Sequence, residues 1–212
     1  MKNTVFTMLV VLSLLILVMS GCESKEPAPE PEGGKKAPES AGGRQAPEFT
    51  LKSFDGKTIN LSDYKGKIVV LEWFNYECPF VLRHYGRPST MVKLANKYRD
   101  KNVVWLAINS TSHATVEENK QFAHQHNLSY PILDDRQGEV GRAYGAMMTP
   151  HMYIIDAKGN IAYQGAIDND ERGKKGQGVI NYVDKALAEL TSGKAVSTTD
   201  TKPYGCTVKY AK

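Results

Sequence analysis

Runs of basic residues are missing from this 212-residue chain, in which 27 Lys and Arg stand against 23 Asp and Glu for a formal net charge of +4. Without a dense positive stretch to track phosphates, nucleic acid is not expected as a partner. Long apolar runs are lacking as well. The longest, from Val5 to Met19, falls short of the roughly 20 residues that a spanning helix needs. No internal repeat is visible, and the length suits one compact domain with extra segments better than two domains. Cysteine is scarce, with three residues at 22, 78 and 206. The residues after Cys78 are Pro79, Phe80 and Val81, so a local disulfide is excluded and any partner thiol must come from far away in the chain or from another molecule.

What is present at the N-terminus reads as an export signal. Lys2 precedes the apolar run, and Ser20-Gly21-Cys22 follows it, the order of a cleavable leader. Val18-Met19-Ser20-Gly21-Cys22 resembles a bacterial lipobox, with Met19 in place of the usual leucine. The resemblance implies lipid on Cys22 and an extracytoplasmic, membrane-anchored protein, and Glu23 after Cys22 favours an outer membrane where the cell has one. Removal of the leader leaves 26 basic residues and a charge of about +3. From Glu23 to Gln45 no large apolar residue occurs, so the segment cannot bury enough surface to order itself. It reads as a tether with a reach of roughly 25 Å as a coil and about 70 Å when extended.

The folded part is expected to start near Ala46. Phe49 to Leu51 and Thr58 to Leu61 flank Asp55-Gly56, a hairpin signal. Lys67 to Phe74, KIVVLEWF, is a continuous apolar run that fits a strand buried on both faces. Met91, Leu94, Ala95 and Tyr98 mark a helix, with Gly86 and Pro88 breaking the turns before it. A strand is expected over Val103 to Asn109, and Thr115 with Glu118 makes a capping box for a helix running to about His126. An extended segment from Tyr130 to Leu133 and a short helix from Gly138 to Tyr144 come next. Met152 to Asp156 and Asn160 to Gln164 form a hairpin, and Val179 to Leu190 an amphipathic helix. Strands alternating with helices predict an α/β sandwich with a central mixed sheet flanked by helices. The domains are then a leader over 1–21, a lipidated cysteine and tether over 22–45, the folded domain over 46–192, and a tail over 193–212 that carries Cys206.

Cys78 follows the buried strand and opens a helix, with Pro79 in the first turn, where its missing N–H does no harm. Free amides and the helix dipole favour a thiolate there, which is the nucleophilic form of cysteine. The alternative is a buried, inert thiol. With Cys22 lipidated, Cys78 and Cys206 remain as an even pair in a compartment where disulfides persist. The tail KPYGCTVKY is rich in turn formers, so it can carry Cys206 to Cys78 for a functional pairing; the other readings are a static clamp of the tail and a thiol used elsewhere.

Three separated segments, APEFTLKSFDGKTINLSDYKGKIVVLEWF, ECPF and YPILDDRQGEVGRAYGAMMTPHMYIIDAKGNIAYQG, resemble the thioredoxin-like redoxin domains of the alkyl hydroperoxide reductase and thiol-specific antioxidant type. The resemblance implies a thioredoxin-like sandwich with Pro150 as a cis-proline facing Cys78, and Thr149 as the residue whose backbone receives a substrate strand. It places Glu72 where thioredoxins bury a proton-handling acid; strand alternation equally allows a solvent-facing or ion-paired side chain. His151, next to the cis-proline, would lie near the thiol and either stabilise a thiolate or serve structurally. His84 is a weaker candidate, and His113, His124 and His126 read as surface. Thiol–disulfide exchange with an antioxidant role follows, with a thiol or disulfide protein or a small thiol reductant as partner and no cofactor. The second possibility is a peroxidase with Cys206 resolving Cys78. Peroxiredoxins carry Pro-x-x-x-Thr-x-x-Cys, and here Leu71 and Asn75 hold the Pro and Thr places, leaving Asn75 as a hydrogen-bond donor beside Pro79 and Arg83 or Arg142 as the cation. A third is copper binding by Cys78 with His151 or His84, although Val81 removes the second cysteine of such sites.

Overall fold

The computed structural model describes residues 43–212 apart from Pro88. The expected leader, the expected lipidation site at Cys22 and the expected tether up to residue 42 lie outside the described residues. Among the described residues no helix is long and apolar enough to cross a membrane.

The chain begins with a hairpin of β1 (Thr50–Ser53) and β2 (Thr58–Asn60), turning at Asp55-Gly56, and a 3-10 turn over Leu61–Tyr64. The apolar run becomes β3 (Ile68–Trp73), buried at all six positions. Helix α1 (Pro79–Tyr85) ends at Gly86, and α2 (Thr90–Tyr98) follows as the apolar spacing predicts. Next come β4 (Val103–Asn109) and α3 (Val116–Gln125), where the side chain of Thr115 accepts from the Glu118 amide and the Glu118 carboxylate accepts from the Thr115 amide. β5 (Ile132–Asp134) and α4 (Glu139–Tyr144) lead to β6 (Met148–Thr149), β7 (His151–Ile155) and β8 (Ile161–Gly165). Helix α5 (Tyr182–Thr191) and the two-residue strand β9 (Cys206–Thr207) complete the order.

Seven strands form one mixed sheet in the order β2-β1-β5-β4-β3-β7-β8. β3 is an interior strand beside the central β4, parallel to β4 and antiparallel to β7. Side chains alternate between the faces of a strand, and β3 uses both. Ile68, Val70 and Phe74 pack with Val81, Met91, Phe122 and Leu187 on one face, whereas Val69, Leu71 and Trp73 pack with Phe49, Leu61 and Tyr144 on the other. The mixed sheet flanked by helices is the α/β sandwich that the residue pattern predicts.

Two features depart from that pattern. α5 starts at Tyr182, three residues later than predicted, because the side chain of Asn181 accepts from the Asp184 amide at 2.8 Å and caps the helix there, leaving Val179 and Ile180 exposed. The tail is not free chain either. It runs along the edge strand β8, where the Gln164 amide donates to the Thr199 carbonyl at 3.0 Å and the Thr201 amide donates to the Gln164 carbonyl at 3.1 Å. It then pairs β9 with β6 in antiparallel register, Met148 opposite Thr207 and Thr149 opposite Cys206.

Candidate functional site

The buried strand β3 delivers the chain to a turn in which the Cys78 amide donates to the Asn75 carbonyl at 3.1 Å. Cys78 keeps an extended backbone (φ −77°, ψ 118°) as the N-cap of α1, with Pro79 at the first helical position. Across from it, the Thr149–Pro150 peptide bond is cis. In its thiol form Cys78 donates to the Thr149 carbonyl at 2.9 Å. The pairing of β9 with β6 brings Cys206 to the same place, and the two sulfurs lie 2.8 Å apart, within hydrogen-bond reach and not joined.

Burial pushes the Cys78 thiol up, but hydrogen bonds from Cys206 and from the Val81 amide outweigh it and hold the group below its ordinary value. Cys206 moves the other way, raised first by burial and then by its bond to Cys78. Of the two thiols, Cys78 is therefore the readier to ionise. Cys78 is only 1 % exposed. Its Sγ meets the tail's thiol and the Thr149 carbonyl, so part of the cover is a chain segment rather than a fixed wall.

Gly205 makes this approach possible. Its φ is +130°, and a Cβ there would sit 2.1 Å from the Thr149 carbonyl oxygen. Any other residue would be strained by its backbone and would collide with the strand that it lies on.

Glu72 shares the Cys78 face of β3. It is fully buried, and its carboxylate accepts from Tyr85 Oη at 2.9 Å and from Trp105 Nε1 at 3.0 Å, while Tyr85 also bonds Tyr130 at 3.0 Å. Burial raises its pKa to about 7, and the Trp105 and Tyr85 hydrogen bonds pull the other way. In the unfolded chain the same carboxyl ionises near its ordinary value of 4.5. The folded state therefore holds a proton that the unfolded state has lost, and stability falls as pH rises from about 4.5 to about 7 before levelling off. The fall is of order 3 kcal/mol. Urea unfolding across that range is expected to show it in the native chain and to lose it in Glu72→Gln, which carries no charge at any pH in the window; identical pH profiles would contradict the buried acid.

Other predicted residues lie elsewhere. His151 sits opposite Trp73 in the β3–β7 register and stacks on Tyr153 at 4.7 Å, both residues of the second core face, whereas Cys78 belongs to the first. Burial lowers its pKa to about 4, so near neutral pH it has no charge to offer a thiolate. Asn75 spends its side-chain oxygen on the Glu77 amide at 2.8 Å. Arg83 donates to the Asp170 carbonyl at 2.6 Å and Arg142 to the Ala211 carbonyl at 2.6 Å, so both expected cations are engaged away from the sulfur. His84 bonds Tyr204 Oη at 3.0 Å, and among the described residues no group of three or more His, Cys, Asp or Glu is placed to hold a metal ion. His113 faces solvent with Glu77 and His124 is exposed, but His126 packs on Phe122 at 4.3 Å and is half-buried, a correction to its surface reading. Tyr85, Tyr130, Trp105, Tyr204 and Asp168 had no local signal. Only the aromatic ring of Tyr204, set in a polar tail beside Gly205-Cys206, marks a buried anchor in retrospect.

Comparison with known proteins bears on this arrangement. The chain is 38% identical over 115 residues to the thioredoxin-like protein YneN of Bacillus subtilis (strain 168), a match covering 54% of this chain and 65% of that one. It is 30% identical over 113 residues to the thiol-disulfide oxidoreductase ResA of Bacillus thuringiensis subsp. konkukian (strain 97-27), covering 53% and 62%. The chain thus spans less than two thirds of the length of either relative. The crystal structure of an uncharacterized conserved protein from Geobacillus kaustophilus superposes with a TM-score of 0.73 at 32% identity, over 80% of this chain and 92% of that one. The AhpC/TSA family model matches residues 42–164, more than half of the chain and the whole stretch from β1 through the nucleophile turn to β8, and on that match this thioredoxin-like protein belongs to the AhpC/TSA family.

Proposed function

We propose that the protein is a thiol-disulfide oxidoreductase with an antioxidant role, held at the extracytoplasmic side of a membrane by lipid on Cys22, in which Cys78 is the nucleophile and Cys206 its partner thiol. The observation that carries the reading is the 2.8 Å approach of the two sulfurs beside a cis-proline. The Cys78 thiolate attacks one sulfur of a partner disulfide, forming a mixed disulfide and releasing the other partner sulfur as a thiolate. Cys206 then loses its proton and attacks Cys78 Sγ, the mixed disulfide breaks, and the second partner thiolate leaves and takes up a proton. Two electrons have passed to the partner, and the enzyme holds a Cys78–Cys206 disulfide for a thiol protein or small thiol reductant to reopen. Glu72, buried behind the helix that Cys78 opens, is the group suited to moving a proton near neutral pH.

A peroxidase could use the same pair, with peroxide turning Cys78 into a sulfenic acid that Cys206 condenses to a disulfide, releasing water. Leu71 in place of proline, Asn75 turned to Glu77, and Arg83 and Arg142 engaged elsewhere favour exchange over peroxide reduction. Stopped-flow mixing of the reduced protein with glutathione disulfide and, separately, with hydrogen peroxide, followed by non-reducing mass spectrometry, tests the reading. Glutathione disulfide is expected to yield an internal Cys78–Cys206 disulfide in the faster reaction. Two thiols left unoxidised would overturn the exchange assignment, and faster oxidation by peroxide would hand the site to the second reading.

A further inference from the structure

β9 is two residues long and makes two residue pairs with β6, too few to fix a strand unaided. Contacts on both sides hold Cys206 against Cys78. Downstream, the Val208 amide donates to the Met147 carbonyl at 3.0 Å, the Ser112 amide to the Lys209 carbonyl at 2.9 Å, and Tyr210 Oη to the Ala146 carbonyl at 2.7 Å. That leaves the upstream side of Cys206 to be fixed next to the nucleophile's own helix. Two residues earlier, Tyr204 is buried, its ring 6.2 Å from Phe80 and its hydroxyl among three polar partners. The hydroxyl donates to Asp168 Oδ1 at 2.7 Å, accepts from Arg83 Nη2 at 3.1 Å, and lies 3.0 Å from His84 Nε2. Arg83 Nη2, which can only donate, also lies 3.0 Å from His84 Nε2, so that nitrogen accepts and Tyr204, His84, Arg83 and Asp168 form one polar cluster, with His84 Nδ1 left without a partner. Phe80, Arg83 and His84 all belong to α1, the helix that Cys78 opens. One hydroxyl thus ties the strand of the second thiol to the helix of the first.

Resting on the exchange reading above, we propose that Tyr204 is a positioning residue that presets Cys206 on Cys78 through Asp168, His84 and Arg83, and thereby sets the rate at which a mixed disulfide on Cys78 is resolved. The step it governs is the attack of the Cys206 thiolate on Cys78 Sγ, which forms the internal disulfide, breaks the bond to the partner sulfur and expels that sulfur as a thiolate; the Cys206 proton passes to solvent and the leaving thiolate recovers one. A thiol held in place acts at a high effective concentration, and a loosened one does not. Tyr204→Phe keeps the ring on Phe80 and removes only the hydroxyl, leaving Asp168 and His84 without their shared partner.

Glutathione disulfide in a quenched-flow experiment separates the two steps. Formation of the Cys78–glutathione adduct is expected to proceed at least as fast in Tyr204→Phe as in wild type, while its conversion to the internal disulfide slows about tenfold. Asp168→Asn, which keeps an acceptor at the same place, is expected to fall between them, and it decides the matter should Tyr204→Phe not fold. Equal resolution rates in all three proteins would overturn the role of Tyr204 while leaving the cysteine pair intact. A wild-type adduct that never resolves would overturn both.

Discussion

Serine at position 78 is expected to lower thiol–disulfide exchange by a factor of about 10⁴ or more, the scale on which loss of an enzyme's nucleophile is felt. Changes at Cys206 separate its two roles. The S–H of Cys206 is among the donors that hold the Cys78 thiol below its ordinary value. Cys206→Ala removes both the donor and the resolving sulfur, so it should trap a mixed disulfide on Cys78 and raise the Cys78 pKa. Cys206→Ser should trap the same adduct yet leave the Cys78 pKa low, because a hydroxyl still donates. Alkylation rates of Cys78 as a function of pH, with mass spectrometry of the adducts, read both quantities. A pKa that ignores alanine and serine alike would mean that Val81 and the rest of the helix N-terminus hold the thiolate without help from the tail.

The second large effect is expected from Gly205→Ala. A backbone at φ +130° that suits glycine and a Cβ 2.1 Å from the Thr149 carbonyl oxygen together forbid the seated tail. Strain of this kind is worth about 3 kcal/mol, or roughly a hundredfold in the population of the closed arrangement. The variant should therefore alkylate at Cys78 far faster than wild type, since Cys78 is 1 % exposed with the tail's Cys206 seated against its sulfur. Its internal disulfide should form slowly, although the cysteines are intact. Unchanged alkylation would show that the core itself, not the tail, buries the sulfur.

Those expectations draw on both sequence and geometry, and the division between them has physical causes. The buried strand at Ile68–Trp73, the capping box at Thr115 and the Cys78-Pro79 helix start were all legible, because each is decided by neighbours within a few residues. The family segments pointed to Pro150, and its peptide bond is cis. What could not be read was long-range register. His151 follows the cis-proline, but its pairing with Trp73 turns it to the face away from Cys78, and only a known register tells which way an alternating strand points. The acid at Glu72 was legible as a position and not as an environment, since Tyr85, Tyr130 and Trp105 reach it from three different parts of the chain. The late start of α5 was set by one side-chain oxygen on Asn181, which competes with the apolar periodicity of Val179 and Ile180.

The route of the tail has one more consequence. Before reaching the cysteine it borders β8, one of the two outermost strands of the seven-stranded sheet, through Thr199, Asp200 and Thr201. Clipping the chain ahead of residue 199 would thus do two unrelated things at once: delete the second sulfur and strip the ribbon of hydrogen-bond partners that shields backbone groups otherwise ready to recruit strands from other molecules. Self-association of such a truncated protein would report a bare margin rather than any change in thiol chemistry, and point substitutions near the terminus are the cleaner instrument.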